Sequence, residues 1–533
     1  MSKLTFYGND ARAALLRGID FLVDAVALTE GPRGRNVVLG QRNMGQTPKV
    51  TRDGVTTANY VDPSDPTEQL GADLIREACQ KTDNVVGDGT TSTAVLARAM
   101  IRAGFRMIEA GANPMAMELG IRKAASAVSG QLKKMAVVCD DQKVLQVATV
   151  SAHGDTEIGA LVAKAVIGAG RDGIVTAEPS STSDTTVETV AGIELEKSNL
   201  ISPIFITHPE DMKAELLDCR ILLWEGTIAS AKSVVPILRQ VADPQSTTPL
   251  IIIAGGYEAE ALACIINNKS KLALPLIAVR MEAYGDRRKE VMRDIAALVG
   301  GKAYTEDMGL KIENIKLSDL GQARRVTTTM SRTQIVGGKG SQEELTGRIQ
   351  HIRNMLDSTY GEEAKILRKR LAALLGGITV IKVGGTTVTE MEEKKDRVVD
   401  AMSAAKAAVE DGVVAGGGTA IFNASYILAH TRKVTPVQQL SGIDVVHEAC
   451  RAVVQQIAEN AGIDGDLLVN QLGSAPDIGY NAMTDKFENL IESGIIDPVK
   501  VVCESLRNAS AVSCSIITMG ACVSEIKQEK PNV

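Results

Sequence analysis

Aromatic side chains are scarce in this 533-residue chain: one Trp, six Phe and eight Tyr, or 3% of all residues. A chain with room for roughly three to four ordinary domains must then build its cores from Ala, Val, Ile and Leu. No run of 18 or more apolar residues occurs, so a membrane span of the helical kind is not expected. The eight cysteines never fall as a C-x-x-C pair and sit among apolar neighbours, as reduced core thiols do. The five histidines show no H-E-x-x-H or clustered spacing, which argues against a histidine-held metal. No strongly basic stretch is present: 58 basic against 65 acidic residues leave a net charge of −7, with both signs interspersed, so nucleic acid is not an expected partner. The first residues have neither the apolar core of a signal peptide nor the Arg- and Ser-rich pattern of a transit peptide, and a cytoplasmic location is expected.

What the chain does have is glycine, 48 residues of it, where turns, hinges and close backbone approaches are made. Apolar spacing predicts helices over Asp10 to Leu28, Glu68 to Thr82 and Thr90 to Ala110, with a small β-hairpin between them from Asn36 to Gly40 and Lys49 to Arg52, joined by a polar loop. From Asp184 the pattern changes to short apolar runs, Cys219 to Trp224, Pro249 to Ala254 and Leu274 to Val279, alternating with helical stretches, which predicts an α/β domain. A charged helical stretch spans Gln342 to Leu375, and a strand bracketed by Gly376, Gly377, Gly384 and Gly385 follows, as a hinge between domains requires. Beyond Glu390 the chain reads as helical to its end, apart from Gly412 to Gly418 and a turn-rich stretch at Pro476 to Asn481. The order helical, mixed, α/β, mixed, helical predicts nesting: both chain ends form one domain and the middle is inserted through a split connector.

The strongest local feature is Gly87-Asp88-Gly89-Thr90-Thr91-Ser92, directly before a helical run. A glycine turn entering a helix offers free backbone N–H groups and the positive dipole end to an anion, and three hydroxyls add donors. Asp88 can hold a divalent cation there, or Asp88 or Thr90 can simply cap the helix. The lysine of a P-loop is absent. A second turn, Thr29-Glu30-Gly31-Pro32-Arg33-Gly34-Arg35, reads as an anion cradle or as an ordinary helix stop. With Asp53 and Asp400 as further carboxylates, the chain holds a cation ligand, a phosphate cradle and a group to orient water, the three parts that phosphoryl transfer to water needs. Gly416-Gly417-Gly418 allows close approach of a flat ligand or marks a tight junction.

Seven ordered motifs carry a resemblance: Glu30 to Leu39, Arg52-Asp-Gly-Val, Gly87 to Ala97, Gly285-Asp-Arg-Arg-Lys, Gly412 to Gly418, Tyr480-Asn-Ala-Met-Thr and Asp497-Pro-Val-Lys-Val. From Gly8 to about Met519 the chain resembles the group I chaperonins, the GroEL family, as a divergent member. The resemblance implies a multidomain α+β and α/β fold: a mostly helical equatorial ATP-binding domain (1–136 and 412–533), a split intermediate hinge domain (137–192 and 377–411) and an inserted α/β apical domain (193–376). It implies ATPase activity with ATP and Mg²⁺, and K⁺ as a further ion. By the same resemblance Asp88 is the Mg²⁺ ligand, Gly89, Thr90, Thr91 and Ser92 surround the phosphates, and Thr29, Gly31 and Pro32 close the other side. Asp400 activates the attacking water, Asp53 supports it, and Gly417, Asn481, Met483 and Asp497 hold base and ribose. Gly192 and Gly377 match an upper hinge and Gly412 a lower one.

The apical positions that match the family's capture surface are Leu200, Ile204, Phe205, Val235, Leu238, Leu262 and Ile266, and apolar contact there needs no sequence code to take non-native polypeptides. The implied assembly is a ring of about seven subunits, as one ring or two, with a co-chaperonin lid as an optional partner. A chaperonin-like holdase with weak ATP cycling is the alternative. This chain departs from the pattern at Glu30 (usually apolar), Arg52 (Lys), Ser92 (Thr), Asn267 (apolar), the aliphatic residues around Leu200 and Ile204 (aromatic), Val138 (Pro) and its C-terminal residues, which lack Gly-Gly-Met repeats.

Overall fold

The computed structural model describes residues 3–525 apart from 41–47, 153, 171–172, 181, 197, 210–211, 244–245, 284, 306–308, 310, 358, 360–361, 474 and 476. The polar loop after Gly40 and the C-terminal tail therefore lie outside the described residues. The chain forms two compact units: residues 1–167, 177–186 and 381–533 make the first, and 168–176 and 187–380 the second. The first unit thus draws on both chain ends, and residues 137–167 and 381–411 group with it.

The first unit is built on helices Gly8–Ala27, Pro66–Val86, Thr90–Glu109, Pro114–Met135, Leu440–Ala449 and Val499–Ile517. Two of these starts follow from side-chain caps: Asp65 accepts from Thr67 and Glu68 N–H ahead of Pro66, and Asn113 from Met115 and Ala116 N–H ahead of Pro114. The buried core is Ala, Val, Ile, Leu, Met and four cysteines, Cys79, Cys450, Cys503 and Cys514, with Phe105, Phe422 and Tyr480 as its only rings among the described buried residues. Glycines explain why rings have so little room. A Cβ on Gly18 would lie 1.8 Å from Glu68 O and one on Gly71 2.2 Å from Leu15 O, so two helix backbones meet face to face at these glycines. Gly120 and Gly442 do the same for a second pair, with Cβ positions 2.1 Å from Gln439 O and 2.2 Å from Met117 O.

The expected hairpin forms as antiparallel strands Val37–Leu39 and Lys49–Thr51, and strand Lys3–Tyr7 pairs with Ala521–Glu525. Strands Val413–Ala415 and Ile478–Asn481 fall in the two stretches excepted from helix, and their partners Ile496–Pro498 and Lys486–Asn489 make the C-terminal part less helical than its sequence suggests. These strands are three or four residues long, too short to leave a period in the sequence.

The second unit is α/β. Strands Ala214–Ile228, Leu250–Tyr257 and Leu276–Met281 run parallel at the heart of an eight-stranded sheet, with antiparallel strands at its margins. Ile251, Ile252 and Ile253 are fully buried, as a central parallel strand covered on both faces must be. Helices Ala231–Val241, Ala259–Leu272 and Gly285–Val299 follow these strands. The charged stretch after residue 341 is two helices, Gln342–Asp357 and Glu362–Gly376, tied down by a buried ion cluster: Arg348 Nε and Arg370 Nε each bind Asp294 at 2.6 and 2.7 Å, and Arg348 Nη2 binds Glu290 at 2.6 Å. Gly377 has φ +61° with Val190 O 2.6 Å from a Cβ position, so a side chain there would meet both strain and a clash. The chain crosses between the units four times, near the end of helix Thr156–Ala169 and within strands Ile174–Pro179, Thr186–Val190 and Ile378–Val383. No helix among the described residues is long and apolar enough to cross a membrane.

Because the Gly18 contact is backbone on backbone, Gly18→Val is expected to destabilise the first unit by about 3 kcal/mol or more, read as a lower urea midpoint. Gly130→Ala, on a helix where a Cβ meets nothing within 4 Å, is expected to stabilise by up to about 1 kcal/mol.

Candidate functional site

The first unit gathers carboxylates at the N-terminus of helix Thr90–Glu109. Gly87 and Gly89 stand at φ +65° and +81°, and this double left-handed turn holds Asp88 between the helix Pro66–Val86 and the next. Asp88 Oδ1 accepts from Gly89 N–H at 2.5 Å and Oδ2 from Ser151 Oγ at 3.1 Å. Of the two readings for Asp88, the helix cap fails: Gly89 is the N-cap residue, and no side chain caps this helix. Its first-turn N–H groups are left for another acceptor. Gly54 brings the neighbouring loop in; a Cβ there would lie 2.2 Å from Thr91 Oγ1 and 2.9 Å from Thr90 Oγ1. Asp53, just before it, caps the short helix Gly54–Tyr60 through Val55 and Thr56 N–H at 3.1 and 2.8 Å.

Asp400 comes from helix Val388–Asp411, whose Ser403 lies against Gly87, its Oγ 2.4 Å from the position a Cβ would take. Its carboxyl is held well above the usual carboxylate range, by burial first and then by Asp53, Asp88, Asp83 and Asp396. Burial and Asp53 likewise raise Asp88, against hydrogen bonds from Gly89 and Ser151. Asp497, on strand Ile496–Pro498, is pushed up to about 7 by burial and Asp88, against a hydrogen bond from Gly417 N–H. Carboxylates that raise one another in this way form a site that a cation relieves. Among the described residues no group of three His, Cys, Asp or Glu is arranged to hold a metal ion. A hard cation here needs oxygens from elsewhere, as Mg²⁺ does when one or two carboxylates share it with phosphates.

The second turn faces the first. Thr29 Oγ1 lies 3.2 Å from Thr91 Oγ1, and Arg52 Nη2 donates to Gly31 O at 2.7 Å and Pro32 O at 2.9 Å. Glu30 Oε1 accepts from Ser92 Oγ at 2.8 Å. Arg397, one turn before Asp400, binds Asp155 at 3.1 Å and Glu393 at 2.8 Å. The Nε atoms of Arg52 and Arg397 are buried without a hydrogen-bond partner, and the charge of Arg397 helps lower the pKa of Arg52. Two guanidinium groups kept this close fit an anion between or beside them. On the far side, Gly417 has φ +61° with open space where a Cβ would stand. Asn481 is taken up locally, accepting from Met483 N–H at 2.9 Å and donating to Glu488 at 2.6 Å, and Met483 is exposed on the hairpin turn.

Asp53, Asp88 and Asp400, 347 residues apart at their extremes, are thus brought within mutual electrostatic reach, together with the hydroxyls of Thr29, Thr90, Thr91 and Ser92 and with Asp497. Sequence reasoning did not find Arg397, Ser151 or Asn460, which have no local motif to mark them.

The expected capture surface is corrected in part. Leu200, Phe205 and Leu238 are 3%, 0% and 3% exposed and belong to the core of the second unit, with Lys269 Nζ 5.8 Å over the Phe205 ring. Apolar spacing marks a face of helix Ala231–Val241 without saying what covers it, and here helix Ala259–Leu272 and the turn Ile312–Asn314 pack against that helix. Ile204 is exposed, and Val235, Leu262 and Ile266 are half-buried.

The site's acids set a pH dependence. Glu30 and Asp497 hold protons to about pH 7 in the folded protein, whereas unfolded carboxyls release them near 4. Between those limits the folded state binds more protons, so stability falls as pH rises and levels off above about 7. The nucleotide-free protein is expected to melt a few degrees lower at pH 8 than at pH 5.5, with the difference reduced in Asp497→Asn; a melting point that rises over this range contradicts the arrangement.

A family comparison covers nearly the whole chain: residues 22–527 match the model of the TCP-1/cpn60 chaperonin family. Among solved structures the chain is similar to the chaperonin gp146 from the bacteriophage EL 2 (Pseudomonas aeruginosa), crystallised in the presence of ATP-BeFx. Crystal form II gives 19% identity over 99% of this chain and 100% of that one, TM-score 0.69; form I gives 18% over 98% and 99%, TM-score 0.64.

Proposed function

The chain belongs to the TCP-1/cpn60 chaperonin family, and on that premise we propose that it is an ATP-dependent molecular chaperone of the group I, GroEL-like kind. The observation that carries the ATPase part is the convergence of Asp53, Asp88 and Asp400 on a helix N-terminus whose first-turn N–H groups lack a side-chain cap. A nucleoside triphosphate bound with Mg²⁺ would supply the phosphate oxygens and the positive charge that the site lacks. Asp88 is the chain's ligand to the metal. Thr90, Thr91 and the helix N–H groups hold the phosphates, and Arg52 adds a guanidinium beside them. Asp400 orients the attacking water and takes its proton, which its raised proton affinity suits. Asp53 supports Asp400 electrostatically while its cap bonds keep it in place. Gly417 and Asp497 take the ribose side, with Asn481 and Met483 near the base.

The domain division at 136, 192, 376 and 411 is the working form of this reading, with Gly192, Gly377 and Gly412 as hinges. The capture surface then rests on Ile204, Val235, Leu262 and Ile266. Assembly of copies of the chain, read as a ring of about seven, draws support for the association alone from two short two-stranded sheets with open edges and exposed apolar residues: Val38 (66%) and Val50 (42%) on one, Tyr7 (70%) and Val523 (51%) on the other. A holdase with altered ATP cycling is the second reading, favoured by the reduced apolar face and by the carboxyl of Glu30 among the phosphate ligands.

Asp400→Ala is expected to lower the ATP hydrolysis rate by at least about 100-fold while leaving Mg·ADP affinity within about threefold. Hydrolysis at the wild-type rate removes Asp400 from the mechanism. Refolding of a denatured enzyme, with and without ATP and a lid protein, separates the two readings, because a holdase gives no ATP-dependent gain in yield.

A further inference from the structure

Glu30 is set into the phosphate side of the site in a way a surface carboxylate is not. Its Oε1 accepts from Ser92 Oγ at 2.8 Å, in the first turn of helix Thr90–Glu109. Its backbone carbonyl accepts from Asn460 Nδ2 at 2.9 Å, and the same amide binds Ala27 O at 2.9 Å, so the turn is pinned to helix Ala452–Asn460. The charges around it come from three sides. Asp88 reaches it from the turn before the helix and Asp497 from strand Ile496–Pro498, both negative. Arg52, at the end of strand Lys49–Thr51, spends Nη2 on the Gly31 and Pro32 carbonyls. The partner on Asn460's helix is a neutral amide. The Glu30 carboxyl is accordingly raised to about 7, by burial first, then Asp497 and Asp88, against the Ser92 hydrogen bond.

Mg·ADP and Mg·ATP both carry net negative charge. A nucleotide seated on this helix N-terminus therefore adds to the repulsion an ionised Glu30 already meets. A neutral carboxyl removes that repulsion and gains a use: one oxygen keeps the Ser92 hydroxyl as donor, and the other carries an O–H that donates to a phosphate oxygen.

We propose that Glu30 is a nucleotide-positioning residue of this chain and that it is neutral in the nucleotide complex, so that binding takes up a proton from solvent and release returns it. This rests on the nucleotide reading of the site. The step is a proton transfer alone: the carboxylate gains H⁺, and no bond to phosphorus forms or breaks. The linkage has a definite sign. Above about pH 7 free Glu30 is increasingly ionised, so each nucleotide bound must bring a proton in, and affinity falls as pH rises, approaching about tenfold per unit. Ser92→Ala removes a hydrogen bond that favours the ionised form and is expected to move this fall to higher pH.

Calorimetric titration of the assembled full-length protein with Mg·ADP at pH 8, in two buffers of different ionisation enthalpy, counts the protons directly. Wild type is expected to take up close to one proton per ADP, and Glu30→Gln close to none. Across pH 7 to 8.5, wild-type affinity is expected to fall about tenfold and that of Glu30→Gln to stay within about twofold. ADP binding by wild type with no proton uptake overturns the proposal, whatever the variant does. Equal uptake in a folded Glu30→Gln also overturns it and moves the proton to another carboxyl. Absence of Mg·ADP binding by wild type overturns the nucleotide reading itself, and the proposal with it.

Discussion

Mutual repulsion among Glu30, Asp88, Asp400 and Asp497 is the constraint around which the first unit is organised, since each raises or is raised by at least one of the others. Buried like charges separate unless the surrounding structure prevents it. What prevents it here is the stiffness of the helices that carry them. Helix Thr90–Glu109 packs on its neighbours through Ala94, Ala97, Ala103 and Gly104 as well as Leu96, Met100 and Ile101, and the helices around it meet at Gly18, Gly71, Gly120 and Gly442 with no side chain between them. The scarcity of aromatic residues is the compositional side of that packing: a ring between such helices would push them apart and spread the carboxylates. Protons relieve that repulsion in the free protein, and a cation, or whatever brings one, can take their place.

Much of this was legible in the sequence where the signal is local. Gly87 to Ser92 announces a turn, a helix start and a cluster of hydroxyls within six residues, and Thr29 to Arg35 announces a helix stop and a glycine turn that could cradle an anion. Asp53 and Asp400 stood out as further carboxylates, and the resemblance then gave them their roles and added Asp497. The remainder depends on contacts between distant parts of the chain: Ser151 reaches Asp88 across 63 residues, and Asn460 reaches Glu30 across 430. Glu30 was visible only as a departure; that Ser92 turns its hydroxyl toward it is a fact of packing.

In the second unit the apolar runs forecast the buried parallel strands well, because a strand covered on both faces is apolar at every position. Helical spacing was a poorer guide to the surface. Val235 and Leu238 lie on one helix, three residues apart, and only Val235 keeps partial exposure, since Leu238 turns onto the core. An exposed apolar face and a buried one have the same period, and the distinction belongs to the tertiary structure. The result is an aliphatic surface smaller than the family resemblance implies, with Asn267 exposed beside Ile266.

The central claim is that the acids at the start of helix Thr90–Glu109 form a site for nucleotide hydrolysis. Phosphate release from ATP by the purified wild-type assembly, followed as Mg²⁺ is titrated in from EDTA, tests it most directly. The account predicts turnover that is absent without Mg²⁺ and saturates with it. A folded assembly that binds Mg·ADP and releases no phosphate at any Mg²⁺ concentration would contradict it.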